Sequence, residues 1–236
     1  MHITIVKPSY EIMTDPDGLV EHLERCGRTC YKSEDKITED SAAKFMERVI
    51  KQGHESVLEH ASMTVKIICD RACSHQLVRH RLGAYSQESQ RYCNYGQKGF
   101  QFIAPKSLEI PVGEYHLVGT EEFLGTTDLL FKNKSPMWCD KWSLEYPVFR
   151  WLKNRFRDCK EYEHCLQEGM RPEDARSVLP NATKTEVVTT YNIRQWRHVF
   201  RERALNAHAQ WQIKDIMLGI LEEFTDAMPS LFGDLK

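Results

Sequence analysis

Hydrophobic positions along the chain fall into blocks with two different periods. Ile3 to Val6, interrupted only by Thr4, predicts an opening strand, and Thr14-Asp15-Pro16 introduces a helix ending near Cys30. Ala42, Phe45, Met46, Val49 and Ile50 recur at helical spacing between Thr38-Glu39-Asp40-Ser41 and Gly53, which predicts a second helix. From His60 to Cys69 the period changes to two. There Met63, Val65, Ile67 and Cys69 alternate with Ser62, Thr64, Lys66 and Ile68, as on a half-buried strand. A short helix follows from Asp70 to about Arg79. The stretch from Arg81 to Gly99 has neither period, and Phe100 to Ile103 resumes strand chemistry before Pro105.

Residues 106–146, with scattered Gly and Pro, read as a loop-rich insertion. Beyond it lie three helical patterns: Val148, Trp151, Leu152, Cys159, Tyr162 and Leu166 before Gly169; a short one from Pro172 to Leu179; and Ile213, Ile216, Met217, Ile220, Leu221 and Phe224. The β-branched run Thr185 to Tyr191 predicts a strand between them. Strands do not alternate regularly with helices, so the fold class is α+β: a helix-rich domain around a central, mostly antiparallel sheet. No repeat or Gly/Ser linker divides the chain, and 1–236 reads as a single domain.

Composition narrows the function classes. A chain of 236 residues hides roughly three quarters of its surface on folding, enough for a sizeable core. Net charge is -2, from 32 Lys+Arg against 34 Asp+Glu, which gives no global bias toward nucleic acid or membrane. Any basic site must be local. The first residues carry no basic, apolar and cleavage-site succession, and no segment approaches 18 consecutive apolar residues, so the expectation is a soluble cytoplasmic protein. Eight cysteines without a C-x-x-C pair read as reduced thiols.

The densest polar constellation is Gln76 with Arg79-His80-Arg81 through Ser89, Arg91 and Tyr92. Gln76 and Arg79 share a helical face, and the arginine forks suit phosphate oxygens while Ser or Gln suits an amide-like edge such as a uracil. The alternative is a solvated basic turn. In His54-Glu55-Ser56-Val57-Leu58-Glu59-His60 the histidines are six apart, which is not the zinc-protease spacing, and the bland reading is a capping turn with no metal site. Asn192 is placed to cap a helix on which Arg194 and His198 lie four apart, with Arg201 and Arg203 following. Arg176, among core-like residues, requires an anionic partner. The Rossmann, P-loop and G-x-S-x-G motifs are all absent.

Arg79-His80-Arg81, seven residues, then Ser89 resembles the signature of the flavin-dependent thymidylate synthases, and Gln76, Arg91 and Tyr92 resemble its flanks. HESVLEH, ARSVLP and the Asn192 to Arg203 helix follow in that family's order. The resemblance covers nearly all of the chain outside 106–146. It implies the fold of that family and the conversion of dUMP to dTMP, a step of nucleotide biosynthesis. Methylenetetrahydrofolate would donate the one-carbon unit and FAD, reduced by NADPH, the hydride.

Carried over residue by residue, it implies dUMP contacts from Gln76, Arg79, Gln87, Glu88, Ser89, Arg91, Arg176 and Arg203. Gln87 and Glu88 enter together, since Ser86-Gln87 stands where the family often has Asn-Glu. Arg203 and Ser89 are the implied catalytic residues, Arg203 because a cation beside a pyrimidine carbonyl stabilises negative charge developing there. His54, Ser56, Glu59, Arg81, Leu82, Asn192, Arg194 and His198 are the implied FAD contacts. No catalytic cysteine is implied, and the chain has no Pro-Cys dipeptide. A homotetramer with shared active sites is implied as well.

Overall fold

The computed structural model describes residues 2–118, 129–132, 135–137 and 146–235, with side chains described outside 117–145. These residues form a mixed helix-and-strand fold whose contacts separate into two units. Unit 1 comprises residues 1–8, 69–72 and 88–185, and unit 2 comprises residues 9–68, 73–87 and 186–236.

In chain order the strands are β1 (His2–Ile5), β2 (Ser9–Ile12), β3 (Ser62–Asp70), β4 (Ala84–Gln87), β5 (Phe100–Phe102), β6 (Gly113–Val118), β7 (Leu129–Lys132), β8 (Ser135–Met137) and β9 (Lys184–Asn192). The helices are α1 (Leu19–Tyr31), α2 (Ser41–Lys51), α3 (Arg71–Leu77), α4 (Tyr95–Lys98), α5 (Tyr146–Gln167), α6 (Pro172–Ala175), α7 (Ile193–Phe200), α8 (Trp211–Ala227) and α9 (Pro229–Phe232). Among the described residues no helix is long and apolar enough to cross a membrane.

Unit 1 is built on a sheet in the order β5-β1-β6-β7-β8. β1 pairs in parallel with β5, Ile3 opposite Phe100 and Ile5 opposite Phe102. The β1–β6, β6–β7 and β7–β8 pairs are antiparallel. Leu152, Phe156, Cys159, Tyr162 and Cys165 recur every three or four residues on α5 and are buried. They share a core with Ile3, Ile5, Phe100, Phe102 and Tyr115. The helix stops at Gly169, whose φ of +90° is a conformation that a side chain would strain.

The second sheet runs β2-β3-β9-β4, with β2–β3 and β4–β9 antiparallel. β3 and β9 alternate buried and half-exposed residues along their length, as the period of two predicts. Within unit 2 Tyr191, Trp196, Phe200, Phe224 and Phe232 form a continuous chain of ring contacts 4.8 to 5.7 Å apart, and Trp196 Nε1 donates to Met63 O at 3.0 Å. Arg197, fully buried, donates to both carboxylate oxygens of Asp234 (2.7 and 2.6 Å) and to Leu231 O, which ties the C-terminal segment to α7.

The strands form two sheets where the sequence pattern predicts one central sheet, and the described structure departs from expectation in three further places. Residues 81–99, expected as loop, contain β4 and α4. β2 forms where the sequence pattern predicts no strand. The expected insertion at about 106–146 carries β6, β7 and β8 as ladder strands beside β1, and its residues 119–128, 133–134 and 138–145 lie outside the described residues. The opening strand, the helix to Cys30, the 42–50 helix, the period-two strand and the helical patterns over 148–166 and 213–224 form as predicted, while the expected helix from Pro172 to Leu179 divides into α6 and a 3₁₀ turn, Arg176–Val178.

Candidate active site

All eight residues implied as FAD contacts lie in unit 2. α2 ends ahead of Gly53, which turns the chain at a φ of +73°. His54 then leads into a single 3₁₀ segment, Glu55–His60, that buries Val57 and Leu58 and leaves His54, Ser56 and Glu59 exposed. His54 Nδ1 hydrogen-bonds the Tyr31 hydroxyl.

α7 packs against this segment. Its first turn is capped by Asn192, whose Oδ1 accepts from Gln195 N at 2.8 Å. Ile193, Trp196, Arg197, Val199 and Phe200 face inward, which leaves Arg194 and His198 on the outer side. Arg194 reaches Glu59 at 2.6 Å and Glu55 at 3.6 Å, and Arg201 also reaches Glu55 at 3.6 Å. This gathers two arginines and two carboxylates at one surface of unit 2.

The Arg79-His80-Arg81 segment follows α3. Arg79 and Arg81 are exposed, and Leu82 is 74% exposed although it is apolar. Gly83 passes so close to Tyr191 that a Cβ would lie 2.2 Å from a ring carbon, so only glycine fits as the chain turns into β4. Between the exposed arginines His80 is buried, and its Nε2 accepts from Arg203 Nε at 3.0 Å. The ring meets His198 edge-on, 5.9 Å between centroids. Burial, then Arg203 and His198, lower the His80 pKa to about 4, with Glu202 acting in the opposite sense, so the imidazole is neutral at pH 7.

Arg203 sits in a π-helical stretch, Arg201–Leu205, that continues α7. Four residues after buried Val199, it would share that face in an uninterrupted α-helix. The wider π turn breaks the spacing, and the side chain is half-buried. Among the described residues its Nη1 and Nη2 take no hydrogen-bond partner.

The residues implied as dUMP contacts divide between the units. Gln76, on α3, is half-exposed in unit 2 with Arg79, Gln87 and Arg203. Gln87, on β4, donates from Nε2 to Ser74 Oγ at 3.0 Å. Glu88, Ser89, Arg91 and Arg176 belong to unit 1. There Lys184 holds Glu88 at 3.3 Å, both side chains being largely buried. Ser89 opens a turn, its carbonyl accepting from Tyr92 N (3.3 Å) and Cys93 N (2.9 Å). Glu173 draws two implied contacts together: its carboxylate accepts from Arg91 Nε at 3.1 Å and its carbonyl from Arg176 Nε at 3.0 Å. Arg176 is half-buried and pairs with no carboxylate among the described residues.

Sequence reasoning missed His80 as a site residue although it is the centre of the recognised motif. No local pattern distinguishes a buried histidine between two exposed arginines, and only the partner from the π-helical stretch does so. It also missed Glu173, whose pairing links residues 82 positions apart. A groove of about 460 Å³ lined by Ile12, Met13, Thr14, Met63 and Phe224 includes none of the implied contacts. The described cysteines are all free, and among the described residues no cluster of three or more His, Cys, Asp or Glu is disposed to hold a metal ion.

Residues 11–230 match the family model described as thymidylate synthase complementing protein. A protein named flavin-dependent thymidylate synthase from Mycolicibacterium vanbaalenii is 34% identical over 97% of this chain and 84% of its own length. One of the same name from Pyrococcus abyssi is 33% identical over 81% of this chain, an alignment that spans 66% of the archaeal protein. The crystal structure of the UMP/dUMP methylase PolB from Streptomyces cacaoi, bound with 5-Br UMP, superposes with a TM-score of 0.69 at 20% identity, covering 98% of this chain and 95% of that one. At that identity the likeness speaks for the fold alone.

Proposed function

The chain belongs to the family of thymidylate synthase complementing proteins, and on that premise we propose that it is a flavin-dependent thymidylate synthase: a methyltransferase-type enzyme that converts dUMP to dTMP. Methylenetetrahydrofolate serves as one-carbon donor and NADPH as the source of electrons, and the reaction belongs to nucleotide biosynthesis in the cytoplasm. In this reading residues 1–236 make up one catalytic domain, and the working form is a homotetramer.

The observation that carries the reading from family to chemistry is the pair of uncommitted guanidinium ends. Arg203 offers both Nη groups, and Arg176 is half-buried without a carboxylate. Arg91 and Arg176, both in unit 1, offer the planar donor forks suited to a phosphate, and Arg79, in unit 2, offers another. Gln76 and Gln87 in unit 2, and Glu88 in unit 1, each offer a polar group suited to the nucleotide. Ser89 lies at the base, and Arg203 places its charge at a pyrimidine carbonyl, where it stabilises the negative charge that builds as ring carbon 5 becomes nucleophilic. In this role no cysteine attacks the ring.

The donor set of unit 2 fits FAD. Arg81, Arg194 and the exposed imidazoles of His54 and His198 suit two phosphates; Ser56, Glu59 and Asn192 suit hydroxyls and ring edges; and Leu82, otherwise an unexplained exposed apolar side chain, suits an aromatic ring face. When bound and reduced, the flavin supplies the hydride that completes the methyl group. The chain's own task is to hold these ligands in register.

The deciding experiment is tritium release from dUMP labelled at ring carbon 5, with FAD, NADPH and methylenetetrahydrofolate each omitted in turn. Release that requires both FAD and the folate is the expected result. No release from folded protein that binds FAD and dUMP would refute the assignment.

A further inference from the structure

Arg203 can act on a pyrimidine only if its guanidinium is held with the right edge free, and the structure contains a device for this. An arginine has five N–H donors in one plane, and immobilising the Nε–H fixes that plane while leaving both Nη groups available. The acceptor of that bond is His80 Nε2, at 3.0 Å. We propose that His80 is a positioning residue for Arg203, acting as a neutral acceptor that fixes the guanidinium plane for the substrate.

This rests on the reading of Arg203 as a dUMP contact. His80 is itself anchored from both sides. Its N–H donates to Leu77 O at 3.2 Å, and its carbonyl accepts from the Tyr85 hydroxyl. The same Tyr85 hydroxyl lies 3.1 Å from Leu77 O and, with its proton on the His80 carbonyl, accepts at 2.7 Å from the hydroxyl of the buried Tyr191 of β9. All of these groups lie in unit 2. With Nε2 accepting, the proton of the neutral ring is on Nδ1.

Every group that faces the imidazole works to keep it an acceptor, except one. Arg203 from the π-helical stretch and His198 from α7 disfavour a second proton, as burial does, and only Glu202 favours it. A protonated ring would lose the lone pair and repel the guanidinium. Sequence makes the motif look like three cations in a row, whereas the fold makes its centre a neutral base.

The test compares His80→Leu, which removes the acceptor at similar bulk, with His80→Gln, whose amide oxygen can accept the same Nε–H. Flavin-loaded His80→Leu is expected to lose tenfold or more in kcat/KM for dUMP, with FAD retention unchanged, and His80→Gln to recover most of that loss. In an Arg203→Lys background, His80→Leu should weaken dUMP binding by less than a further twofold. Unchanged kcat/KM in His80→Leu, no recovery in His80→Gln, or an equal binding loss in both backgrounds overturns the proposal. If His80→Leu does not fold, His80→Asn, which is too short to reach Nε, replaces it.

The 15N-correlated Nε–H resonance of Arg203 gives a readout independent of turnover. Slow solvent exchange in the wild type and His80→Gln but not in His80→Leu supports the role, and equal exchange in all three overturns it. If the wild type neither binds nor turns over dUMP, the functional reading fails by itself, and this resonance still decides whether His80 holds the guanidinium.

Discussion

A half-buried arginine without a carboxylate is uncommon, because burying a charge without a counter-charge costs free energy, whereas a buried histidine is accommodated as the neutral ring when a neighbour uses its lone pair. Both are found here at residues the family resemblance singles out or adjoins. The histidine has a consequence for stability. His80 has a folded pKa of about 4 against an ordinary 6.5, so between those values the unfolded chain binds a proton that the folded chain does not. Its contribution is therefore complete above about pH 6.5 and is lost as pH falls toward 4. Lowering the pH from 7 to 5 should cost the wild type about 2 kcal/mol more than it costs His80→Gln, measured as urea unfolding free energy. Equal losses would show that His80 is not held neutral. The exposure of Arg79 and Arg81 follows from their charge alone, but the burial of His80 follows from the Tyr85 and Arg203 contacts, whose partners are 5 and 123 positions away.

Elements with a long, strong period were legible, and short ones were not. α2, α5, α8, β3 and β9 each repeat an apolar position often enough for the pattern to stand out. β2 and β4 are four-residue strands with no more than two apolar positions each, and they exist because β3 and β9 present ladder partners beside them. β6 was hidden by its surroundings of Gly and Pro, although Tyr115 on it is fully buried. The α7 start was readable from Asn192, and the cap forms. Asn192→Ala is expected to cost about 1 kcal/mol of unfolding free energy, and to weaken FAD binding because α7 carries Arg194 and His198. Unchanged stability and unchanged flavin affinity would show that the cap does not set the register of the helix. The π-helical stretch that turns Arg203 off the buried face has no sequence signature at all.

For the whole molecule, the family follows from motifs spread over most of the chain, and the implied dUMP contacts fall in two structural units. Tyr92 in unit 1 is 80% exposed and Leu82 in unit 2 is 74% exposed. The homotetramer is tested by light scattering of the flavin-loaded protein, for which a tetrameric mass is expected, and a monomeric mass at micromolar concentration would refute it. The sequence alone determined the α+β class, the places of the long elements and the family, because these depend on local periodicity and on motif spacing. Tertiary structure decided which charges are already neutralised and which remain free. Glu59 is committed to Arg194, Glu88 to Lys184 and Glu173 to Arg91, while Arg176 and Arg203 keep donors in reserve. Pairing of this kind depends on distances of a few ångströms between residues up to 135 positions apart, and no local pattern encodes such distances.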